Sequence, residues 1–459
     1  MASVCSQKSD ADPGRMNRAP RFDSRWLALR LRQLGVPSGA QLCIAFSGGA
    51  DSTALLAAAA GLRRALRCRV RALHVHHHLH AAADGWARDA VRVSASLRVP
   101  ARVLHVRVAA AGQSPEARAR DARYAALAEA LRPGECLLVA HHQEDQLETV
   151  LLQLLRGAGL PGLAAMPMRA PLGSGWLLRP ALDQPRAALR AFARARGLHW
   201  SEDHSNADVR FDRNFLRQRV LPLLLQRWPA AAVTAARSAG HMAQAQQLLG
   251  ELAARQLRRA SDGAGLRVAA LRALTAPERA NALRHWLANL GLPAPDSTRL
   301  REIEVLLRAR ADTNPMISWT GVELRRHRGR LHAAAPPPPL PAPGEWAWRR
   351  RRRLQIEAAG SLAVVSDPHG DVALDLLPPR LQWRFRNGGE RVALRVGRKS
   401  LKELLREHGI PAWQRARLPL LYAGERLIAV PGLWLAPQVR AEASTARRGR
   451  LLWRFAALG

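Results

Sequence analysis

Lysine is almost missing from this 459-residue chain: Lys8, Lys399 and Lys402 are the only lysines, against 71 lysines and arginines together. Arginine therefore carries nearly all the positive charge. Acidic residues number 36, leaving a formal net charge of +35, and so basic a surface attracts polyanions across about 8–10 Å, the screening length near physiological salt. Nucleic acid is the partner this field suits, although a general bias toward arginine codons raises the same count without any partner. Cysteine is sparse too. Cys5, Cys43, Cys68 and Cys136 contain no CxxC pair, which argues against a disulfide framework and against a cysteine zinc site. No apolar run approaches the roughly 18 residues of a membrane span, the longest being the alanine-rich stretch from Ala54 to Leu62. Met1 to Pro20 is polar and lacks an apolar centre, so it reads as a tail and not as a signal peptide, and a cytoplasmic, membrane-free protein is expected.

What is present is a chain long enough for two or three domains. From Gln41 to Gln153 short apolar runs alternate with amphipathic stretches, the pattern of a parallel sheet covered by helices on both faces. Strands are expected at Leu42 to Phe46, Val70 to Val75, Arg102 to Val106 and Cys136 to Ala140; helices at Ser52 to Arg67, Trp86 to Ser96, Glu116 to Leu131 and Glu144 to Arg156. Beyond Pro161 the chain turns irregular, with helices at Leu182 to Arg196 and Phe215 to Gln226. Pro229 to about Arg310 is rich in alanine and arginine at helical periodicity, and the prolines at Pro336 to Pro339 read as a stiff linker. The expected division is a tail and leading helix at 1–38, an α/β domain with a doubly wound, mainly parallel sheet at 39–228, a helical domain at 229–334, the linker at 335–345, and a small α+β domain at 346–459.

Two segments carry chemistry. Ser47-Gly48-Gly49-Ala50-Asp51-Ser52 leaves a strand and opens a helix, so backbone amides freed by the two glycines and the helix dipole favour phosphate oxygens, with Ser47 and Ser52 as hydroxyl donors. Asp51 is a poor neighbour for phosphate unless a cation intervenes, which points to Mg²⁺ between carboxylate and pyrophosphate. A plain glycine turn with Asp51 near a helix start is the bland alternative. The second segment is Ala140-His141-His142-Gln143-Glu144-Asp145-Gln146-Leu147-Glu148-Thr149, again where a strand ends and a helix begins, the sheet edge at which ligands bind. Asp145 and Glu148 share a helix face, able to reach one metal or one substrate amine, or serving only as dipole partners.

The SGGxDS string resembles the PP-loop ATP pyrophosphatase superfamily, and the second segment resembles the AHHxxDQxET motif of tRNA(Ile)-lysidine synthases. Other pieces are similar to the same family in the same order: Glu116 to Tyr124, with Arg123; Arg156-Gly157 through Leu163; Arg179-Pro180; Trp200 to Asn206; Arg213-Asn214-Phe215-Leu216-Arg217; then Gly388 to Arg391, Lys399 to Leu405, Leu418 to Tyr422 and Val430 to Leu433. One departure stands in His74-Val75-His76-His77-His78-Leu79, where His78 replaces the usual glycine; a glycine there signals a backbone needing room or positive φ. A histidine metal site is the tempting alternative reading of that stretch.

The resemblance implies that ATP adenylates the wobble cytidine of a tRNA(Ile) with a CAU anticodon, and that free L-lysine displaces AMP. On it, Ser47, Gly48, Gly49, Ala50, Asp51, Ser52, His74 and His141 are expected around ATP, with Asp51 on Mg²⁺. Asp51, Asp145, Glu148 and Arg213 are the catalytic candidates, a carboxylate being needed to place the lysine ammonium and take a proton. His142, Arg123, Arg156, Gly157, Asn214, Arg217, Lys399 and Lys402 are candidates for substrate contact. For Arg213 and Arg217 a clamp and a solvated surface remain alternatives, as do phosphate contacts and plain exposure for the two lysines and for Arg349 to Arg353. A homodimer stays open. A tRNA thiolase shares the adenylation but requires sulfur-carrying cysteines or an iron–sulfur cluster, which the cysteine pattern disfavours.

Overall fold

The computed structural model describes residues 22–78, 82–107, 115–201, 208–263, 265–310, 315–394 and 397–456; the tail Met1 to Pro20, Leu79 and the motif piece Glu202 to Asn206 lie outside the described residues. Two compact units divide the chain, Met1–Leu248 and Leu249–Gly459. No helix of the described residues is long and apolar enough to cross a membrane.

The first unit is built on a six-stranded sheet: β1 Gln41–Ala45, β2 Arg69–His76, β3 Ala101–His105, β4 Cys136–Leu138, and the hairpin β5 Arg169–Leu172 and β6 Gly175–Leu178, in the order β3-β2-β1-β4-β6-β5. All pairings are parallel except β5 with β6. Side chains alternate across β1, so Leu42 and Ile44 join one buried cluster while Cys43 joins another with Leu73 and Leu137. Both faces are therefore covered, which explains strands that are almost wholly apolar. The helices are α1 Ser24–Gln33, α2 Ala50–Ala60, α3 Ala83–Ser96, α4 Pro115–Ala130, α5 Gln143–Leu155, the single turn α6 Leu160–Leu163, and α7 Arg186–Ala195. Helix α2 buries nearly every residue, and alanine is what lets α1 and α7 press against it.

Order reverses between β1 and β4, since one half of the sheet runs outward through β2 and the other through β6. That crevice at the strand ends is where an open α/β sheet binds ligands, and both motif segments open there, α2 after β1 and α5 after β4.

Helix ends differ from expectation for local reasons. α2 stops at Gly61 instead of reaching Arg67, and α7 starts only after Pro185, whose missing N–H suits a helix entry. Residues 212–227 form a short helix, a π turn at Leu216–Val220 and a second helix, Pro222 sitting in its first turn. The hairpin β5–β6 had no periodic signal; it turns at Gly173, φ +53°, and a Cβ on Gly175 would meet Glu135 O at 2.2 Å.

In the second unit the stretch expected to be helical holds helices Val268–Arg272, Ala276–Asn289 and Ser297–Arg308 beside an antiparallel sheet, Leu266–Arg267, Arg330–Ala334, Val322–His327 and Met316–Trp319 in that order. Its strands run two to six residues and turn at Gly321 and Gly329, both at positive φ, too short for a period to show. Residues 335–343 form neither helix nor strand. Two further antiparallel sheets, of five and four strands, share a core containing Trp346, Leu381 and Leu405, the last from the helix at Leu401–Glu407.

Candidate active site

The two loops face a cavity of about 810 Å³ in the first unit, within the ~300–1,000 Å³ of small-molecule sites. Ser47, Gly49, Ala50, Asp51 and Ser52 form one wall, with His74 and His77 beside them; His141, His142 and Asp145 come from the start of α5. Arg213, Asn214 and Arg217 approach from the segment after 208, and Arg123 from α4.

At the glycine loop, Gly48 takes φ +86° and its carbonyl accepts from the Ser201 amide at 2.9 Å. Ser47 Oγ and Ser52 Oγ lie 3.0 Å apart, and Ser52 Oγ also donates to Gly49 O. A Cβ built on Gly48 meets nothing within 4 Å, and one on Gly49 only Ser47 Oγ at 3.6 Å. The protein itself does not need the space above these glycines, so the room is available to a ligand, under amides of the first turn of α2 that have no intrahelical acceptor. The backbone angle still favours glycine at position 48: Gly48→Ala is expected to lose about 1–2 kcal/mol of stability, read as a lower melting temperature with no clash to relieve.

Asp51 stands on that first turn. Its Oδ2 accepts from Arg186 Nε at 3.3 Å and lies 3.7 Å from His142 Nε2, while its buried Oδ1 has no hydrogen-bond partner among the described residues. A buried carboxylate oxygen without a partner, on a residue of the cavity wall, is the donor a hard cation takes, so the residues fit Mg²⁺. Burial opposes the charge on Asp51, but His142, Arg186 and Arg190 outweigh it and keep the carboxyl below its usual range.

His142 joins the two motifs. Burial disfavours its protonation, yet Asp145, Asp51 and Glu144 raise it to about 9, with Nε2 3.4 Å from Asp145 Oδ2 and Nδ1 3.1 Å from Glu144 Oε2. Against its own burial, Asp145 is held to about 2 by His142, His141, Arg213 and Arg217; its Oδ2 accepts from the His142 amide at 3.1 Å, closing the cap of α5, and its Oδ1 from Arg217. His141 is pushed down to about 3 by burial and accepts from Arg179 Nε at 3.2 Å. His74, kept neutral by burial against the pull of its Nδ1 contact with Phe46 O at 2.9 Å, faces the same space.

Glu148 takes a different place from the expected one. Wholly buried, it lies beneath the arginines instead of on the cavity wall: Oε2 accepts from Arg213 Nε at 2.9 Å and Arg217 at 2.8 Å, and Oε1 from Arg217 Nε at 2.7 Å. A substrate amine does not reach it, because the residue is wholly buried and both its oxygens already accept from guanidinium groups. Arg213 and Arg217 are thereby aimed side chains and not loose surface charges.

Arg156 and Gly157 do not line the cavity. Arg156 is exposed, 3.8 Å from Asp212, and Gly157 at φ +67° ends α5. Lys399 and Lys402 belong to the second unit, Lys399 paired with Glu407 and Lys402 exposed. Sequence reasoning missed Arg120, Arg186, Arg190, Trp86 and Trp200, which all line the cavity. Arg186 and Arg190 recur at helical spacing after Arg179-Pro180, but in so arginine-rich a chain that spacing stands out from nothing. Six arginines against Asp51 and Asp145 make the cavity an anion site.

Cys43, Cys68 and Cys136 are buried and unpaired, and burial pushes the Cys43 thiol up to about 12. None of the three is a reactive thiolate.

Three family models match the chain: a PP-loop domain over residues 26–224, a TilS substrate binding domain over 266–332, and a TilS substrate C-terminal domain over 381–453. The chain is 43% identical to a tRNA(Ile)-lysidine synthase of Alkalilimnicola ehrlichii, across 92% of this chain and 96% of that protein. Proteins of the same name from Ralstonia nicotianae and Pseudomonas aeruginosa are 46% and 44% identical, across 87% and 85% of this chain and 89% and 90% of theirs.

Proposed function

We propose that this chain, which belongs to the tRNA(Ile)-lysidine synthase family, is the ATP-dependent ligase that forms lysidine on tRNA(Ile), and that its chemistry takes place in the cavity between the glycine loop and the start of α5. One observation carries the assignment of the site: Asp51, on the cavity wall with a buried oxygen that has no partner among the described residues, follows a glycine turn in which a Cβ on Gly48 would meet only open space.

In this reading ATP lies with its phosphates over Gly48, Gly49 and the first turn of α2. Ser47 and Ser52 donate to the phosphates. Mg²⁺, held by Asp51, would neutralise charge on the pyrophosphate when bound. The O2 oxygen of the wobble cytidine attacks the α-phosphorus, and the bond to pyrophosphate breaks. Arg186 and Arg190 face the charge that develops on the leaving group. The ammonium of free lysine gives up a proton to solvent, its ε-amine then attacks C2, and AMP departs with the oxygen.

Asp145 is the carboxylate on the wall that pairs with the lysine ammonium. Held near 2 it is a strong partner for a cation but a weak base. Arg213 and Arg217, aimed by Glu148, hold the phosphate of the adenylated nucleotide with paired N–H donors. His74 and His141, both neutral, flank the nucleotide, and Arg123 and Asn214 complete the wall. Residues 39–228 act as the catalytic domain; 229–334 and 346–459 grip the body of the tRNA on either side of the segment 335–345, with Lys399 and Lys402 on phosphates.

The test is lysine transfer: the full chain with ATP, Mg²⁺, radiolabelled lysine and a CAU-anticodon tRNA(Ile). Label is expected in the RNA, with one AMP released per lysine joined, and none when ATP is omitted. Folded protein that leaves the RNA unlabelled overturns the reading.

A further inference from the structure

Three histidines at the outer ends of β2 and β3 take no part in the chemistry above. β2 and β3 are parallel, and their register sets His76 directly beside His105, so the two side chains project from the same face of the sheet. Two residues further on, His78 takes φ +57° and its backbone turns back. This is the position at which the resembled family carries glycine, and a side chain in that conformation costs about 1–2 kcal/mol. The result is a packed trio: the His76 and His78 rings are 4.1 Å apart, and each lies 5.1 Å from the His105 ring.

We propose that His76, His78 and His105 form a binding site for a transition-metal ion, zinc by its ligand preference. One ligand nitrogen from each residue lies within 4.8 Å of the others. The closest pair, His78 Nε2 and His105 Nδ1, are 3.0 Å apart, and two nitrogens each ~2.0–2.1 Å from one tetrahedral ion stand about 3.4 Å apart, so this pair needs only a small opening. His76 Nε2 meets Asp84 Oδ1 at 3.0 Å, the carboxylate contact that orients metal-ligating imidazoles. Its Nδ1 accepts only a long 3.3 Å bond from the His78 amide, which the ion would replace. His76 is buried while His78 and His105 are exposed, so the cluster is anchored on the sheet and open to solvent.

Imidazole nitrogens select zinc, copper or nickel and not magnesium, so this site is chemically distinct from Asp51 and independent of the reading given to it. Three protein ligands leave a fourth position for water. The competing account is a hydrogen bond between the rings of His78 and His105 with no ion at all.

Untagged full-length protein, stripped with a chelator and dialysed, would be titrated with Zn²⁺ against a chromophoric competitor, and with Co²⁺ for its visible spectrum. One ion per chain is expected, unmoved by excess Mg²⁺, with the intense absorption of tetrahedral cobalt. His78→Gly, which suits the backbone at that position and so keeps the fold, should weaken Zn²⁺ binding at least tenfold, and His105→Ala similarly; Asp84→Asn should weaken it by about tenfold, as an outer partner does. Absence of stoichiometric binding, or equal binding by wild type and the His78→Gly/His105→Ala double variant, overturns the proposal.

Discussion

Asp51→Ala is expected to abolish adenylation, lowering pyrophosphate release at least about a thousandfold, while tRNA binding stays within about twofold of wild type. A thousandfold corresponds to about 4 kcal/mol of barrier, the several kcal/mol that charge neutralisation by a bound metal contributes. Asp51 has the position for that effect: it is the second residue of α2, just after the glycine turn, and its Oδ1 is buried with no partner among the described residues. Removing it leaves His142 with Glu144 and Asp145, so the fold keeps its charge balance at that point. Asp51→Asn, which preserves size and loses charge, should fall nearly as far. Pyrophosphate release at a normal rate in either variant would remove Asp51 from the reaction, as would equal loss of tRNA binding.

The second large effect is on stability. Glu148→Gln should unfold the first unit about 3 kcal/mol more easily, because it strips the counter-charge from two guanidinium groups that a wholly buried carboxylate holds. Breaking a buried pair from one side costs ~3–5 kcal/mol; Arg213 and Arg217 keep 19% and 27% of their side chains exposed, which places the effect at the lower end. In a unit of this size that is a fall of roughly 6–12 °C in melting temperature. Adding Arg217→Ala to Glu148→Gln should cost less than the sum of the two changes, since both act on one cluster. An unchanged melting temperature for Glu148→Gln would show that the carboxylate is not the anchor, and a Glu148→Gln enzyme with full lysine transfer would show that the aim of the arginines is immaterial.

Between them these two acids show how far sequence reasoning reached. The place of Asp51 was legible because its backbone setting is local: a strand, two glycines and a helix start follow one another along the chain. Glu148 was legible as a residue of the site but not in its role. Its spacing from Asp145 put both on one face of α5, yet which of them meets the cavity depends on Arg213 and Arg217, some 65 to 69 positions away. Arg186 on Asp51 and Trp200 on the cavity wall were invisible for the same reason. His78 is an intermediate case: an unexpected side chain at a glycine position announced positive φ, and the backbone has it, but only the register of β2 against β3 brought His105 alongside.

The sequence by itself determined the doubly wound sheet, the loops at its switch point and the family, because strand and helix periods, glycine turns and motif order are properties of neighbouring residues. Tertiary structure alone decided which charged groups face the cavity and which lie beneath it, since burial and ion pairing depend on distances between segments far apart in the chain. It also decided that the arginine-rich stretch beyond Pro229 includes a sheet, because its strands are too short to show a period and exist only where partners complete their hydrogen bonds.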